Sequence, residues 1–167
     1  MEKNFNPKEL LTMAIQIEKN GFTYYTKMAE NAKVPSVKQI FEQLARAEKQ
    51  HITDFKAIEE ALEPDEFEIP DDYQSPEIDQ YLSSLSDGEI FSNLKALDEK
   101  IEQIHSDREA ILQAISFEKD SIMFFHEIHD LLPLESANRK TVGELIRQEK
   151  IHMARLYTVL GEINSQE

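Results

Sequence analysis

Glu-x-x-His occurs twice in this chain in a register that indicates metal chemistry. Glu48 and His51 recur 101 residues later as Glu149 and His152. Residues three apart on a helix lie on one face, so each pair can present a carboxylate and an imidazole to the same point. A single glutamate also precedes each pair by about thirty residues. The predicted ligand set, suited to two metal ions between four helices, is Glu18, Glu48, His51, Glu118, Glu149 and His152.

The composition predicts the four helices that such a site needs. The chain has 167 residues, is rich in helix-forming residues and has only 4 glycines. Proline, capping and apolar-spacing signals predict helices over about 7–31, 37–62, 106–132 and 136–161. The first pair and the last pair are tightly joined, whereas more than forty residues, including a further helix capped by Asp87, separate the hairpins. We therefore predict an all-α, ferritin-like four-helix bundle with a long crossover, forming one domain over 1–167.

Carboxylates on the apolar stripes of these helices need counter-charge, because burying an ion costs several kcal/mol. Two divalent cations would neutralise four glutamates, and oxygen-rich ligation with one imidazole per ion suits iron or manganese. The alternative is a bundle that keeps these residues as buried salt bridges. A third Glu-x-x-His, at Glu102 and His105, has no repeat partner and is predicted to be exposed.

The remaining composition narrows the class of protein. The net charge of −15 disfavours binding to nucleic acid. The absence of cysteine excludes disulfides, iron–sulfur clusters and thiolate zinc sites from this sequence. There is no apolar signal segment or membrane-length apolar run, so we expect a cytoplasmic protein with no membrane partner.

Three positions near the predicted ligands allow two interpretations each. Gly21 and Ser121 follow Glu18 and Glu118 by three residues, so they either leave room for dioxygen or peroxide or allow close helix packing. Tyr25 lies two turns after Glu18, and it is either a partner of the metal centre or an ordinary core aromatic.

These residues resemble the rubrerythrin-like branch of the ferritin-like superfamily. The resemblance rests on both Glu-x-x-His pairs, on Glu18 followed by Tyr25, and on the segment 118–125. It implies two non-haem iron ions, with manganese or zinc as substitutes, which react with hydrogen peroxide or dioxygen in a homodimer. It also implies that Glu48 and Glu149 bridge the ions, that the other four ligands are terminal, and that no catalytic residue beyond the ligands is needed.

The sequence departs from that family in two respects. Rubrerythrin carries a cysteine-rich rubredoxin-like domain, whereas this chain has no cysteine, so a separate donor such as a rubredoxin-like protein would have to supply electrons. Ser121 stands where rubrerythrin has an extra carboxylate, and the six-ligand set that remains is closer to that of bacterioferritin.

Three functions follow as alternatives. The leading prediction is a di-iron oxidoreductase that reduces hydrogen peroxide or dioxygen and serves in oxidative stress. The second is an iron-binding ferroxidase or storage-like protein, and the third is a non-catalytic helical module stabilised by metal.

Overall fold

The structure, a computed structural model, describes residues 7–63, 67, 70–86 and 94–165, and every regular element in these ranges is helical. The four long helices are α1 (Pro7–Asn31), α2 (Pro35–Ala61), α5 (Asp107–Leu131) and α6 (Ala137–Asn164). The connection between α2 and α5 carries a 3₁₀ turn (Asp71–Tyr73) and two short helices, α3 (Pro76–Ser86) and α4 (Leu94–Glu102).

The long helices form a closed ring. Short loops join α1 to α2 and α5 to α6, so each pair is an antiparallel hairpin. The hairpins meet where α1 packs on α5 and α2 packs on α6. The connection runs from the end of α2 to the start of α5, and its helix α4 packs on α1 outside the ring. This arrangement confirms the predicted ferritin-like bundle of two hairpins and one long crossover.

Local capping explains where the second hairpin begins its helices. The Ser106 side chain accepts a hydrogen bond from the Glu109 N–H, while the Glu109 carboxylate accepts one from the His105 N–H. This reciprocal pair is a capping box. Ser136 likewise caps α6 by accepting bonds from the N–H groups of Asn138 and Arg139.

Two predicted boundaries were wrong by a few residues. Helix α2 begins at Pro35 and not at 37, because proline at the first helical turn lacks only an N–H that would have no partner there. Helix α6 does not end near Gly161 but continues to Asn164. Gly161 keeps a helical backbone without positive φ, and Ile163 beyond it is buried. The predicted cap Asp87 lies outside the described residues.

Two tyrosines attach the crossover to α5. The hydroxyls of Tyr73 and Tyr81 donate to the two oxygens of Glu127, at 2.7 and 2.9 Å. Leu97 of α4 is buried against α1 in the main core. Among the described residues, no helix combines the length and the apolar character that crossing a membrane requires.

Candidate metal centre

All six predicted ligands lie in the interior of the ring. Each of the four long helices contributes at least one of them, from the stripe that also supplies its core residues. None of the six residues is more than 6% exposed. The centre is formed by Glu18, Glu48, His51, Glu118, Glu149 and His152.

Helical spacing brings each ligand inward with an apolar neighbour on either side. On α2, Leu44 and Phe55 flank the Glu48–His51 pair along the same face, and all four side chains are buried. Because that face must pack against the rest of the ring, the two polar groups are carried into the core. The duplicated hairpin does the same on α6.

The ligand atoms form two overlapping groups. In the first, one atom each from Glu18, Glu48, His51 and Glu149 lies within 4.8 Å of the other three. In the second, Glu118 and His152 replace Glu18 and His51, and the same limit of 4.8 Å holds. Glu48 and Glu149 therefore belong to both groups, which is the arrangement that two bridging carboxylates require.

Glu149 lies between the two imidazoles. Its Oε1 is 2.8 Å from His51 Nδ1, and its Oε2 is 2.8 Å from His152 Nδ1. The two imidazole rings are nearly parallel, with centroids 5.5 Å apart. The terminal carboxylates lie on the same sides, since His51 Nδ1 is 3.5 Å from Glu18 Oε2 and His152 Nδ1 is 4.0 Å from a Glu118 oxygen. The centre thus has two similar halves.

Several buried atoms of the centre have no hydrogen-bond partner. Both oxygens of Glu18 are in this state, as are His51 Nδ1 and Glu149 Oε1, which face each other without hydrogen-bond geometry. Buried polar atoms are nearly always satisfied, and an orphaned group costs about 1–3 kcal/mol. Atoms that converge without bonding one another are what cation ligands look like before the cation is bound. The donor set therefore fits two divalent ions.

The electrostatics of the metal-free cluster lead to the same conclusion. Burial raises the pKa of Glu18, Glu48 and Glu118 well above the ordinary value, and neighbouring carboxylates raise it further. Glu149 behaves differently: burial would raise its pKa, but contacts with His152 and His51 outweigh burial and lower it. Burial would lower the pKa of His51, but Glu149 raises it to about 10. Without metal, protons must supply the positive charge that cations would otherwise bring.

Two further side chains hold ligands in place. The Tyr25 hydroxyl donates to Glu118 Oε1 at 2.7 Å, and its ring belongs to the hydrophobic core, so Tyr25 is a core aromatic that also contacts a predicted ligand. Gln148 Oε1 lies 3.1 Å from His51 Nε2, so it can accept the ring N–H and leave Nδ1 free for a metal. The sequence analysis missed Gln148. Its position beside Glu149 is a weak signal, and its partner is set by how α6 is rotated against α2.

Gly21 and Ser121 lie where a cavity meets the centre. Both line a small space that also borders Glu48 and Glu118. A Cβ added at Gly21 would lie 3.3 Å from Cδ and Oε2 of Glu48, so close approach to a ligand and open space coincide at this glycine. Gly21 therefore lies close to a predicted ligand and also borders the cavity.

The third Glu-x-x-His does not join a cluster. Glu102 is the last residue of α4, and both it and His105 are exposed. Among the residues that the structure describes, the two groups above account for all the candidate metal clusters, and neither contains this pair.

Comparisons with known proteins place this geometry in a family. The sequence model of the rubrerythrin family matches residues 9–106, which is more than half of the chain. The fold is similar to that of a protein from Thermotoga maritima described as a ferritin-like diiron-carboxylate protein. The two chains are 25% identical with a TM-score of 0.71, over 97% of this chain and 99% of that one. Comparison with curated proteins gives no match. The chain belongs to the rubrerythrin family.

Proposed function

We propose that this protein is a di-iron oxidoreductase that reduces hydrogen peroxide, or more slowly dioxygen, with electrons from a separate donor protein. The observation that carries the proposal is the pair of overlapping ligand groups that share Glu48 and Glu149. Family membership supports iron as the metal, as does the similar chain described as a diiron-carboxylate protein. A donor such as a rubredoxin-like protein is needed because the sequence contains no cysteine for an iron–sulfur or rubredoxin site.

In this proposal, Glu48 and Glu149 would each serve both ions. Glu18 and His51 complete one site, and Glu118 and His152 complete the other. When bound, iron would supply the redox chemistry that reduces a small oxidant. The chain contributes a ligand set with almost no solvent exposure and with two ligands fixed by Tyr25 and Gln148. Fixed ligands reduce the reorganisation that accompanies a change in metal charge.

The second candidate is a ferroxidase, in which iron oxidation serves metal uptake. Ser121 favours it, because the position three residues beyond Glu118 carries no additional carboxylate ligand. The two functions differ in oxidant and in capacity. An oxidoreductase retains about two irons per chain through repeated cycles, whereas a storage protein continues to take up added iron.

Stopped-flow absorbance on protein loaded anaerobically with ferrous iron tests the proposal. The loaded protein is mixed in parallel with hydrogen peroxide and with dioxygen. We expect fast oxidation by peroxide and slow oxidation by dioxygen, both abolished by Glu149→Gln and retained in Glu102→Gln, the exposed matched control. A preference for dioxygen with continued iron uptake would establish the ferroxidase instead. Oxidation that does not depend on Glu149 would remove both candidates.

A further inference from the structure

A small cavity adjoins the candidate metal centre and is bordered by two of its carboxylates. It lies between α1, α4 and α5, and its walls include Gly21, Leu97, Ser121 and the carboxylates Glu48 and Glu118. The space open to the centre of a water-sized molecule is about 10 Å³. A cavity of that size holds about one such molecule and not a cluster of them. The cavity is therefore matched to a reactant of very few atoms.

Glycine at position 21 preserves this space. A side chain at this point on α1 would meet the Glu48 carboxylate at 3.3 Å, closer than an ordinary van der Waals contact. The glycine lies on one wall, and across the cavity Ser121 supplies a small polar group from α5. On the side of the ring, the cavity is therefore bounded by the predicted ligands Glu48 and Glu118.

Leu97 provides the wall that is not part of the ring. It belongs to α4, which packs on α1 from outside, and the side chain is only 1% exposed. The contacts of α4 include an ion pair between Lys27 and Asp98, and Lys100 Nζ lies 5.9 Å from the centre of the Phe117 ring. Phe117 itself lines the cavity. Leu97 is therefore a buried apolar wall of a cavity that Glu48 and Glu118 also line.

We propose that Leu97 sets the upper size limit of the oxidant, so that hydrogen peroxide is admitted to the centre and alkyl hydroperoxides are excluded. This inference rests on the proposed function. Either peroxide takes two electrons from the ferrous pair and two protons from solvent, and its O–O bond breaks. Hydrogen peroxide then gives two waters, whereas tert-butyl hydroperoxide gives one water and one tert-butanol. The chemistry is the same for both, so a difference in rate reports access.

The first measurement is the ratio of oxidation rates with hydrogen peroxide and with tert-butyl hydroperoxide, on ferrous-loaded protein. In the wild type we expect hydrogen peroxide to react at least 100-fold faster. Leu97→Ala should raise the rate with tert-butyl hydroperoxide by at least tenfold, and Leu97→Val by less. Leu97→Met conserves the volume and should leave the ratio as in the wild type. Leu82→Ala, at a buried leucine of α3 away from the cavity, controls for general loosening of the crossover.

The second measurement needs no iron and no turnover. Xenon binds apolar cavities large enough to hold it, so crystals of the zinc-loaded proteins are pressurised with xenon. We expect a xenon atom beside Gly21 in Leu97→Ala and none in the wild type. The graded Leu97→Val variant keeps the test valid if Leu97→Ala disrupts α4.

The outcomes separate the two proposals. If xenon enters the Leu97 variants but their rate ratios equal that of the wild type, the oxidant reaches the centre by another route and the inference is wrong. If the wild type reacts equally fast with both peroxides, or if no Leu97 variant binds xenon, it is also wrong, while the di-iron oxidoreductase stands. If neither peroxide oxidises the wild-type centre in a Glu149-dependent way, both the proposed function and the inference are wrong.

Discussion

Metal binding should stabilise this bundle in two steps, and the shared ligands decide which variants lose one step or both. A ligand that binds only the folded state at 100 times its Kd adds about 2.7 kcal/mol to the free energy of unfolding. For a chain of this length, each kcal/mol raises Tm by roughly 2–4 °C. Each occupied site is therefore worth about 5–11 °C, and two sites about 11–22 °C.

The two ligand groups turn this into a pattern across variants. Glu18→Gln and Glu118→Gln each alter one group, so each should retain about half of the wild-type increase in Tm on adding metal. Glu149→Gln alters both groups and should abolish the increase. Glu102→Gln removes an exposed glutamate of the unpartnered Glu-x-x-His and should retain the full increase.

Without metal, replacing a ligand should not lower the stability of the protein. Both oxygens of Glu18 are buried without a hydrogen-bond partner, and its pKa is raised by burial and by Glu149 and Glu118. Burial therefore disfavours the charged carboxylate, and the isosteric, neutral Gln removes the cost of protonating this side chain. Metal-free Glu18→Gln should therefore be at least as stable as metal-free wild type, even though it binds less metal.

Differential scanning calorimetry in the presence and absence of metal measures both effects. Mn²⁺ is used in place of Fe²⁺ because it is not oxidised during the scan. Each variant is compared with its own metal-free form, so changes in basal stability cancel. The shared-ligand geometry would be refuted if Glu149→Gln kept the increase of one site, or if Glu18→Gln lost both. A reduced increase in Glu102→Gln would show that a different cluster binds the metal.

Three further predictions follow from contacts around the centre. Burial and the hydrogen bond to Glu127 raise the pKa of Tyr81 to about 12. The contribution of Tyr81 to stability is therefore complete below pH 10 and is lost as pH rises through 12. Tyr81→Phe should reduce the pH dependence of the free energy of urea unfolding over that range. Asp107 accepts N–H bonds that tie the α1–α2 loop to α5, and Asp107→Ala should cost about 1–3 kcal/mol in urea unfolding. Tyr25→Phe frees Glu118 and should weaken one of two Mn²⁺ sites about 10–100-fold in calorimetric titration.

The sequence predicted the bundle and the convergence of the six candidate ligands because both depend on helical periodicity. A repeat offset of 100–101 residues, together with i,i+3 spacing, places Glu48, His51 and their counterparts on inward stripes without any knowledge of tertiary contacts. The capping box at Ser106 was equally visible, since its partners lie within four residues. Local patterns specify a helix and the face it buries.

Contacts between elements were not predictable in the same way. The hydrogen bond from Gln148 to His51 depends on the rotation of α6 against α2. The two tyrosines on Glu127 and the cover formed by Leu97 depend on how the crossover lies on the ring. Apolar spacing can place Leu97 on the buried face of a short helix, but it does not indicate that the helix borders the candidate centre. The end of α6 was missed because burial of Ile163 outweighs the helix-ending preference of Gly161.

The two duplicated halves have the same ligand types but different side chains around them. This difference makes the two candidate metal sites inequivalent. Tyr25 reaches across to Glu118, whereas its counterpart Phe125 packs on Phe55 with ring centroids 4.7 Å apart and has no hydroxyl to offer Glu18. One terminal carboxylate is therefore held by a phenol, and the other has no hydrogen-bond partner at either oxygen. Of the two terminal carboxylates, Glu118, which the phenol holds, is the one that borders the cavity.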